Sequence, residues 1–154
     1  MAISEFSQRQ RVEFVETDMA GIMHFSNFFR MMEQTEHAFF RSLGSTVHEK
    51  VDGKTIGWPR VEAHCEYLKP LKFEDVVEIV LRIEEIRERS LKMQFQFQKV
   101  MKTDGNSEVL EKVARGYLTT VCVELGRKEG QLKSRSIPES FLVQIKEHND
   151  LEMA

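Results

Sequence analysis

The stretch from Glu13 to Gly44 limits what this chain can fold into more than any other part of the sequence. It starts like a strand, is interrupted by Asp-Met-Ala-Gly at 18–21, and continues from about Asn27 to Leu43 without glycine or proline. Apolar residues three and four positions apart predict a helix there. They cover far more than one stripe of its surface: Phe28, Phe29, Met31, Met32, Ala38, Phe39, Phe40 and Leu43. Such a helix needs cover on most sides.

Both ends of this helix carry residue types that suit helix ends. Ser26 or Asn27 can cap the start by accepting a hydrogen bond from a free backbone N–H. Gly44 suits the end, because glycine enters the left-handed conformation without a steric penalty from Cβ. The sequence therefore predicts a turn at 18–21 followed by one long, buried helix.

Most of the remaining chain alternates between apolar and polar residues, as strands with one face in the core do. Thr103–Asn106 contains Asp-Gly and predicts a hairpin turn, whereas polar, glycine-bearing Ser45–Gly57 predicts a surface loop. Gly116 predicts a bulge or a close approach of another backbone. The predicted strands are Gln8–Val15, Arg60–Leu68, Asp75–Arg87, Leu91–Met101 and Glu108–Glu124.

The last predicted strand is closed by Gly126–Gly130, and the only element expected after it is a short amphipathic segment, Pro138–His148, packed on the body. The order of strand, helix and four strands joined by short turns predicts an α+β fold. Because the helix is apolar over most of its surface and the sheet on one face, we expect a curved, mainly antiparallel, five-stranded sheet wrapped round the central helix.

The size and charge of the chain narrow the possible functions. Its 154 residues suit a single domain spanning 1–154. The formal net charge of −3 argues against a protein that binds nucleic acid through general electrostatics. No stretch approaches the roughly 20 apolar residues that cross a bilayer, and the first residues lack the apolar core of a signal peptide. We expect a cytoplasmic protein that binds neither nucleic acid nor membrane.

Cysteine and histidine usage gives no sign of a metal or disulfide site. Cys65 and Cys122 lie in strand-like segments without Cys-x-x-Cys spacing, so we interpret them as reduced packing residues. The five histidines lack the paired spacing that holds a metal on one helix face. We therefore expect no metal site.

Asp18 is the strongest candidate for a catalytic residue. It lies between a strand and a buried helix, and the largely apolar run Met19–Met23 follows it. Burial would raise the pKa of this carboxyl, whereas a nearby helix N-terminus would favour its charged form, and the sequence does not decide between the two. The alternative interpretation is that Asp18 only caps the turn, as aspartate commonly does.

The run Asp18-x-x-Gly21-x-x-His24-Phe25-x-Asn27-Phe28, followed by Glu33, resembles the signature of one enzyme family. This family is the hotdog-fold acyl-CoA thioesterases of the 4-hydroxybenzoyl-CoA thioesterase type. The similarity extends over most of the chain. Its other parts are Trp58-Pro59-Arg60, the segment from Tyr67 through Pro70 to Asp75, and Ala114-Arg-Gly-Tyr117.

The resemblance implies that Asp18 acts on a thioester carbonyl, either as a nucleophile that forms a mixed anhydride or as a general base that activates water. The backbone N–H of Phe25, at the helix N-terminus, would hold the developing oxyanion, which also follows from the unpaired donors and dipole of a helix start. Gly21 would let the backbone turn tightly towards the substrate, and Asn27 would shape the helix start.

Each of the other candidate site residues has two possible interpretations. Glu33 either positions water or the acyl group across a dimer interface or is a solvated helical glutamate. His24 either contacts the acyl group or thioester, with a role as proton shuttle less favoured, or supplies aromatic shape. The residues Met23, Phe25, Phe28 and Met32 either line a pocket for aromatic or medium-chain acyl groups or belong to the core. Relatives hold the nucleotide phosphates of coenzyme A at the positions of Arg87, Arg89 and Ser90, which otherwise form a solvated turn.

The resemblance also implies partners: dimers that join their sheets edge to edge and pair again into homotetramers. The leading hypothesis is a thioesterase that hydrolyses an acyl-CoA without any cofactor. One alternative is a non-catalytic acyl-CoA-binding module, which the presence of Asp18 disfavours. The other is a hotdog enzyme of different reaction, such as an enoyl-thioester hydratase, which the position of the acid before the helix disfavours.

Overall fold

The computed structural model describes residues 1–103, 105, 107–128 and 130–149. These residues contain two α-helices, α1 (Ser26–Ser42) and α2 (Glu139–Leu142), and nine β-strands. The strands are β1 (Glu5–Arg11), β2 (Glu49–Val51), β3 (Lys54–Gly57), β4 (Arg60–Tyr67), β5 (Val76–Ile86), β6 (Ser90–Lys102), β7 (Glu108–Val121), β8 (Val123–Leu125) and β9 (Leu132–Ser134). Neither helix is long and apolar enough to cross a membrane.

The main sheet contains five antiparallel strands in the order β1-β5-β6-β7-β4. Helix α1 packs against β1, β4 and β5, and its Phe28 ring lies 5.2 Å from the ring of Phe97 on β6. The sheet therefore reaches round the helix from one edge to the other. This is the α+β hotdog architecture implied by the resemblance, and the predicted five-stranded sheet and helix are confirmed.

The core lies between α1 and the concave face of this sheet. The helix contributes fully buried Met31, Met32, Phe39 and Phe40. The alternation predicted for β6 is also confirmed, because Leu91, Met93, Phe95 and Phe97 have no exposed surface. Removing one of these aromatic rings by substitution with alanine would cost about 3–5 kcal/mol of unfolding free energy.

Gly116 on β7 lies close both to the backbone of β4 and to the side chain of Met32 on α1. A Cβ atom at this position would lie 2.2 Å from the carbonyl oxygen of His64 and 2.6 Å from Cε of Met32. Both distances are far below van der Waals contact, so no larger residue fits without movement of β4. The close backbone approach predicted for Gly116 is confirmed.

The first strand differs from the prediction of Gln8–Val15. Strand β1 ends at Arg11, and Phe14–Glu16 forms a 3-10 turn that leaves Phe14 and Val15 exposed. The backbone N–H of Glu13 donates to the Glu16 carboxylate at 2.7 Å, which stabilises the turn instead of further strand pairing. The apolar alternation at 12–15 was therefore misleading.

A second, four-stranded sheet with the order β2-β3-β8-β9 was not predicted. Ser45–Gly57, expected to be a loop, contains the hairpin of β2 and β3, with positive φ at Asp52 and Gly53. The predicted strand Glu108–Glu124 is divided at Cys122, where β8 leaves the main sheet. Strand β9 follows in the segment where no strand was expected. Strands this short carry too little alternation to be recognised.

Two other predictions concern the turn at Thr103–Asn106 and the C-terminal segment. Residues 104 and 106 of the predicted Thr103–Asn106 hairpin lie outside the described residues, but the strands on either side pair as expected. In the C-terminal segment, Phe141 and Ile145 are buried, which confirms that it packs on the body. Cys65 and Cys122 are free thiols, half-buried and buried respectively.

Candidate active site

Asp18 lies in a tight turn that joins the 3-10 turn to the start of α1. Its backbone N–H donates to the carbonyl of Ile22, and its carbonyl accepts from Gly21, both at 3.0 Å. One carboxylate oxygen, Oδ1, accepts from the N–H of Ala20 at 2.8 Å. Gly21 has φ of +80°, which glycine adopts without strain. The turn-capping interpretation of Asp18 therefore holds, and Gly21 allows the tight turn that was expected.

A groove of about 430 Å³ opens beside this turn, between the start of α1 and the end of β4. Asp18 lines this groove and is exposed, although the sequence had left open whether its carboxyl is buried. The groove itself is apolar, as the sequence indicated. Its other lining residues are Ile22, Met23, Phe25, Phe28, Tyr67, Leu68, Lys69 and Pro70.

Aromatic rings form two walls of the groove. The ring of Tyr67 lies 5.1 Å from the ring of Phe28 and 6.4 Å from that of Phe25, both edge to face. Met23 and Phe28 are buried yet line the groove, whereas Met32 belongs to the core alone. The groove therefore suits a flat or narrow apolar group.

The backbone at the start of α1 is held by specific hydrogen bonds. The side-chain amide of Asn27 donates to the carbonyl of Glu16 at 2.8 Å, and so does the N–H of His24, at 2.9 Å. Asn27 therefore fixes the helix start, as expected. Nδ1 of His24 lies 2.8 Å from the hydroxyl of Ser26, so the ring is turned towards the helix instead of lining the groove.

Phe25 is the last residue before α1 and has helical backbone angles. Its N–H has no hydrogen-bond acceptor among the residues that the structure describes, as is common in the first turn of a helix. The side chain is exposed and lines the groove. A residue with a backbone donor that has no described acceptor thus lines the same groove as Asp18.

Glu33 lies away from this groove within one chain. Its side chain is about half exposed, and Oε1 lies 3.4 Å from Nη2 of Arg60 and 4.0 Å from Nε2 of His37. The structure therefore does not bring Glu33 and Asp18 together in a single subunit.

Arg87, Arg89 and Ser90 lie at the opposite end of the sheet from Asp18. Arg87 and Arg89 lie in the turn between β5 and β6, and Ser90 is the first residue of β6. Ser90 pairs with Val121, whose N–H donates to the carbonyl of Pro59 just before β4. Strand β4 has eight residues, so the two ends are separated by about 20 Å. The structure does not bring the expected phosphate residues and Asp18 together in one subunit.

The turn at 87–90 still borders a polar cavity of about 210 Å³. Arg87 and Ser90 line it together with Lys92 of β6, while Arg89 instead donates to the hydroxyl of Ser134 at 3.1 Å. Two carboxylates, Glu62 and Glu85, line the same cavity, and Glu85 pairs with Arg87. Arg87 and Ser90 are thus neighbours, and Arg89 points elsewhere.

Sequence reasoning missed a buried ion pair between α1 and β4. The side chain of Glu36 has no exposed surface and accepts two 2.8 Å hydrogen bonds from the guanidinium of Arg60. Burial raises the pKa of Glu36 to about 7, although the charge of Arg60 lowers it. A signal was present in the sequence, since Glu36 lies four residues from both Met32 and Phe40 on the apolar side of the helix.

Together, the fold and the groove define a hotdog protein with an acid and a free backbone donor at the start of its central helix. The sequence model of the Thioesterase-like superfamily matches residues 12–145, which is most of the chain. The chain therefore belongs to the Thioesterase-like superfamily. The expected relationship to the 4-hydroxybenzoyl-CoA thioesterase type is confirmed at the level of the family.

Three comparisons illustrate this relationship. A candidate esterase of Aquifex aeolicus (strain VF5) is 42% identical over 81 residues, which are 53% of this chain and 62% of that protein, a little under two thirds of its length. The solved structure of a gentisyl-coenzyme A thioesterase is 30% identical and has a TM-score of 0.72, covering 89% of this chain and 99% of that one. A 4-hydroxybenzoyl-CoA thioesterase solved with 4-hydroxybenzoyl-CoA is 20% identical, with a TM-score of 0.76 over 94% and 100% of the chains, which supports the shared fold.

Proposed function

We propose that this protein is an acyl-CoA thioesterase that hydrolyses a CoA thioester to the free acid and coenzyme A. The observation behind the proposal is that one apolar groove is lined both by Asp18 and by Phe25, whose backbone N–H has no acceptor among the described residues. Membership of the Thioesterase-like superfamily supports it, and so do relatives named as thioesterases of CoA esters.

Asp18 is proposed to act in one of two ways. As a nucleophile, its carboxylate attacks the thioester carbonyl, releases the CoA thiolate and forms a mixed anhydride, which water then hydrolyses to regenerate the carboxylate. As a general base, it takes a proton from water while that water attacks the carbonyl. In both routes the carbonyl oxygen becomes negatively charged, and the N–H of Phe25 is proposed to donate a hydrogen bond to it.

Gly21, Asn27 and His24 are proposed to support the reaction indirectly, by shaping the backbone and the packing around the groove. Gly21 lets the turn bring Asp18 to the groove, and Asn27 holds the helix start that presents the N–H of Phe25. His24 contributes ring packing 4.5 Å from the ring of Phe25. Carboxylate, backbone donor and water suffice for the reaction, so the proposed enzyme needs no metal or other cofactor.

The separation of Asp18 from the residues proposed to bind the phosphates favours a site built from two subunits. Arg87 and Ser90 lie at the Arg60 end of β4, whereas Asp18 lies at the Tyr67 end. If two copies pair antiparallel along the free edge of β4, a two-fold axis brings the Arg60 end of each copy to the Tyr67 end of the other. We therefore propose a dimer as the functional unit, assembled into a homotetramer and working in the cytoplasm.

The direct test is release of free thiol from a panel of aromatic, short-chain and long-chain acyl-CoAs. The proposal expects hydrolysis of at least one class, with aromatic or medium-chain esters favoured by the groove. Binding of acyl-CoA without thiol release across the panel would contradict it and would instead favour a non-catalytic binding module. Hydration of an enoyl-CoA without thiol release would favour a hydratase.

A further inference from the structure

The imidazole ring of His24 contacts the residue two positions later through one nitrogen. The backbone N–H of Ser26 donates to Nδ1 at 3.3 Å, and the Ser26 hydroxyl lies 2.8 Å from the same nitrogen. A ring nitrogen accepts from a backbone N–H only when it carries no proton. The bond network therefore assigns the ring hydrogen to Nε2, and it makes the serine hydroxyl a second donor to Nδ1.

The backbone of His24 is held as well as its ring. Its N–H donates to the carbonyl of Glu16 at 2.9 Å, and its carbonyl accepts from the N–H of Asn27 at 3.0 Å. The bond from Ser26 to Nδ1 has the pattern of an Asx turn, in which a side-chain acceptor binds the N–H two residues further on. This turn encloses Phe25, so the peptide group that carries the Phe25 N–H is held from both sides.

The ring of His24 also decides which backbone donors are left over at the start of α1. The N–H groups of residues 24, 27 and 28 donate to backbone carbonyls, and that of Ser26 donates to Nδ1 of His24. Within 24–28, the N–H of Phe25 alone has no acceptor among the residues that the structure describes. Without Nδ1, the N–H of Ser26 would lack an acceptor too, directly beside that of Phe25.

We propose that His24 is a positioning residue whose unprotonated Nδ1 takes up the N–H of Ser26 and so presents the N–H of Phe25 as the backbone donor to the oxyanion. This inference rests on the proposed thioesterase activity. It goes beyond that proposal because it makes His24 a hydrogen-bond acceptor, not only an aromatic neighbour of Phe25. It also disfavours proton transfer by His24, since Nε2 already carries a hydrogen and the lone pair of Nδ1 is engaged.

The positioning role predicts which kinetic constant depends on His24. An oxyanion donor is effective when its direction is fixed before the reaction, because turning it during the reaction would cost free energy. The oxyanion exists in the transition state and not in the bound substrate. Loss of the Nδ1 acceptor should therefore lower kcat and leave KM nearly unchanged.

Two substitutions of His24 separate its acceptor from its ring. His24→Asn keeps a side-chain acceptor that can form the same turn with Ser26, but it lacks the ring. His24→Phe keeps an aromatic ring without any acceptor. Once circular dichroism shows that both are folded, we expect kcat of His24→Asn to stay within about twofold of native and that of His24→Phe to fall roughly tenfold.

Each other pattern of rates would overturn the inference. A native rate in His24→Phe with a loss in His24→Asn would show that aromatic shape matters, and equal losses would indicate a role that only imidazole supplies. Equal native rates would show that His24 has no part in the reaction. The matched control is His148→Phe, which removes another contact between Nδ1 and a serine hydroxyl, 3.1 Å from Ser4, at a residue that does not line the groove. This control should keep the native rate.

The tautomer can be measured in the native protein, so the inference stays testable even if a variant does not fold. The ¹⁵N NMR signals of the His24 ring, assigned by their loss in a His24 variant, should show Nδ1 without a proton and Nε2 with one in the neutral ring. A proton on Nδ1 would overturn the inference.

The same measurements separate this inference from the proposed function. A native protein that releases no thiol from any acyl-CoA overturns the proposed function and with it the role of His24 in the reaction. Native activity that is lost with Asp18→Asn, but is equal in His24→Asn and His24→Phe, overturns this inference alone.

Discussion

At the scale of single residues, Glu36 shows how one buried acid makes stability depend on pH. Its carboxyl faces Arg60, Glu33 and His37, and burial raises its pKa from 4.5 to about 7. Between these values the folded protein keeps a proton that the unfolded chain releases. The contribution of this group to stability is therefore fully present below about pH 4.5 and decreases as the pH rises towards 7.

We expect the native protein to lose on the order of 3 kcal/mol relative to Glu36→Gln as the pH rises through this window, because glutamine does not titrate. Above about pH 7 the difference between the two proteins should stay constant. The measurement is urea unfolding of both proteins at intervals across the window. Parallel stability profiles would show that Glu36 is already ionised in the folded protein at low pH.

Gly116 provides a second prediction for a single residue. Substitution with alanine places a Cβ against the backbone carbonyl of His64, which cannot rotate away, so we expect destabilisation by about 1–3 kcal/mol or more. Gly105→Ala is the matched control, because nothing lies within 4 Å of a Cβ there. Thermal unfolding of both variants checks this, and equal midpoints would contradict the close approach of β4 and β7.

At the scale of elements, the end of β4 and the start of α1 form the walls of the groove. Ring contacts between Tyr67 and Phe28 hold these walls, whereas the hydrogen bond from the Tyr67 hydroxyl to the carbonyl of Phe25 is long, at 3.4 Å. We therefore expect the apolar ring to matter more than the hydroxyl for binding of the proposed acyl group.

We expect Tyr67→Ala to raise KM for the best substrate by roughly tenfold, about 1–2 kcal/mol of lost apolar contact, with a smaller change in kcat. Tyr67→Phe should remain close to native. Steady-state kinetics of both variants checks this prediction. A large loss with Tyr67→Phe would instead show that the hydroxyl takes part directly.

The sequence predicts the long elements of the fold, but it does not reveal the short strands or the tertiary contacts. Helix α1 and strands β5 to β7 are long enough for apolar periodicity to predict them, and the motif from Asp18 to Phe28 led to the groove. The hairpin of β2 and β3 was missed although Asp52-Gly53 is a hairpin signal, because its strands are short and its partner, β8, is distant in sequence. The pairing of Glu36 with Arg60 depends on tertiary contact between helix and strand, which one sequence does not reveal.

For the whole molecule, assembly is favoured by the edge of β4 that pairs with no described strand and by the separation of the proposed site residues. Light scattering should give a mass of two or four chains of 18.0 kDa each. A protein that stays monomeric at assay concentration and still hydrolyses acyl-CoA would contradict the shared site. That result would not bear on the reaction proposed for Asp18, which needs a separate test.

That test compares native protein with Asp18→Asn on the best substrate, after circular dichroism shows that both are folded. We expect kcat to fall by roughly a hundredfold or more, while the affinity for the intact acyl-CoA changes little, because asparagine keeps the turn but lacks the reacting carboxylate. A variant that hydrolyses the ester at the native rate would show that Asp18 does not act on the thioester.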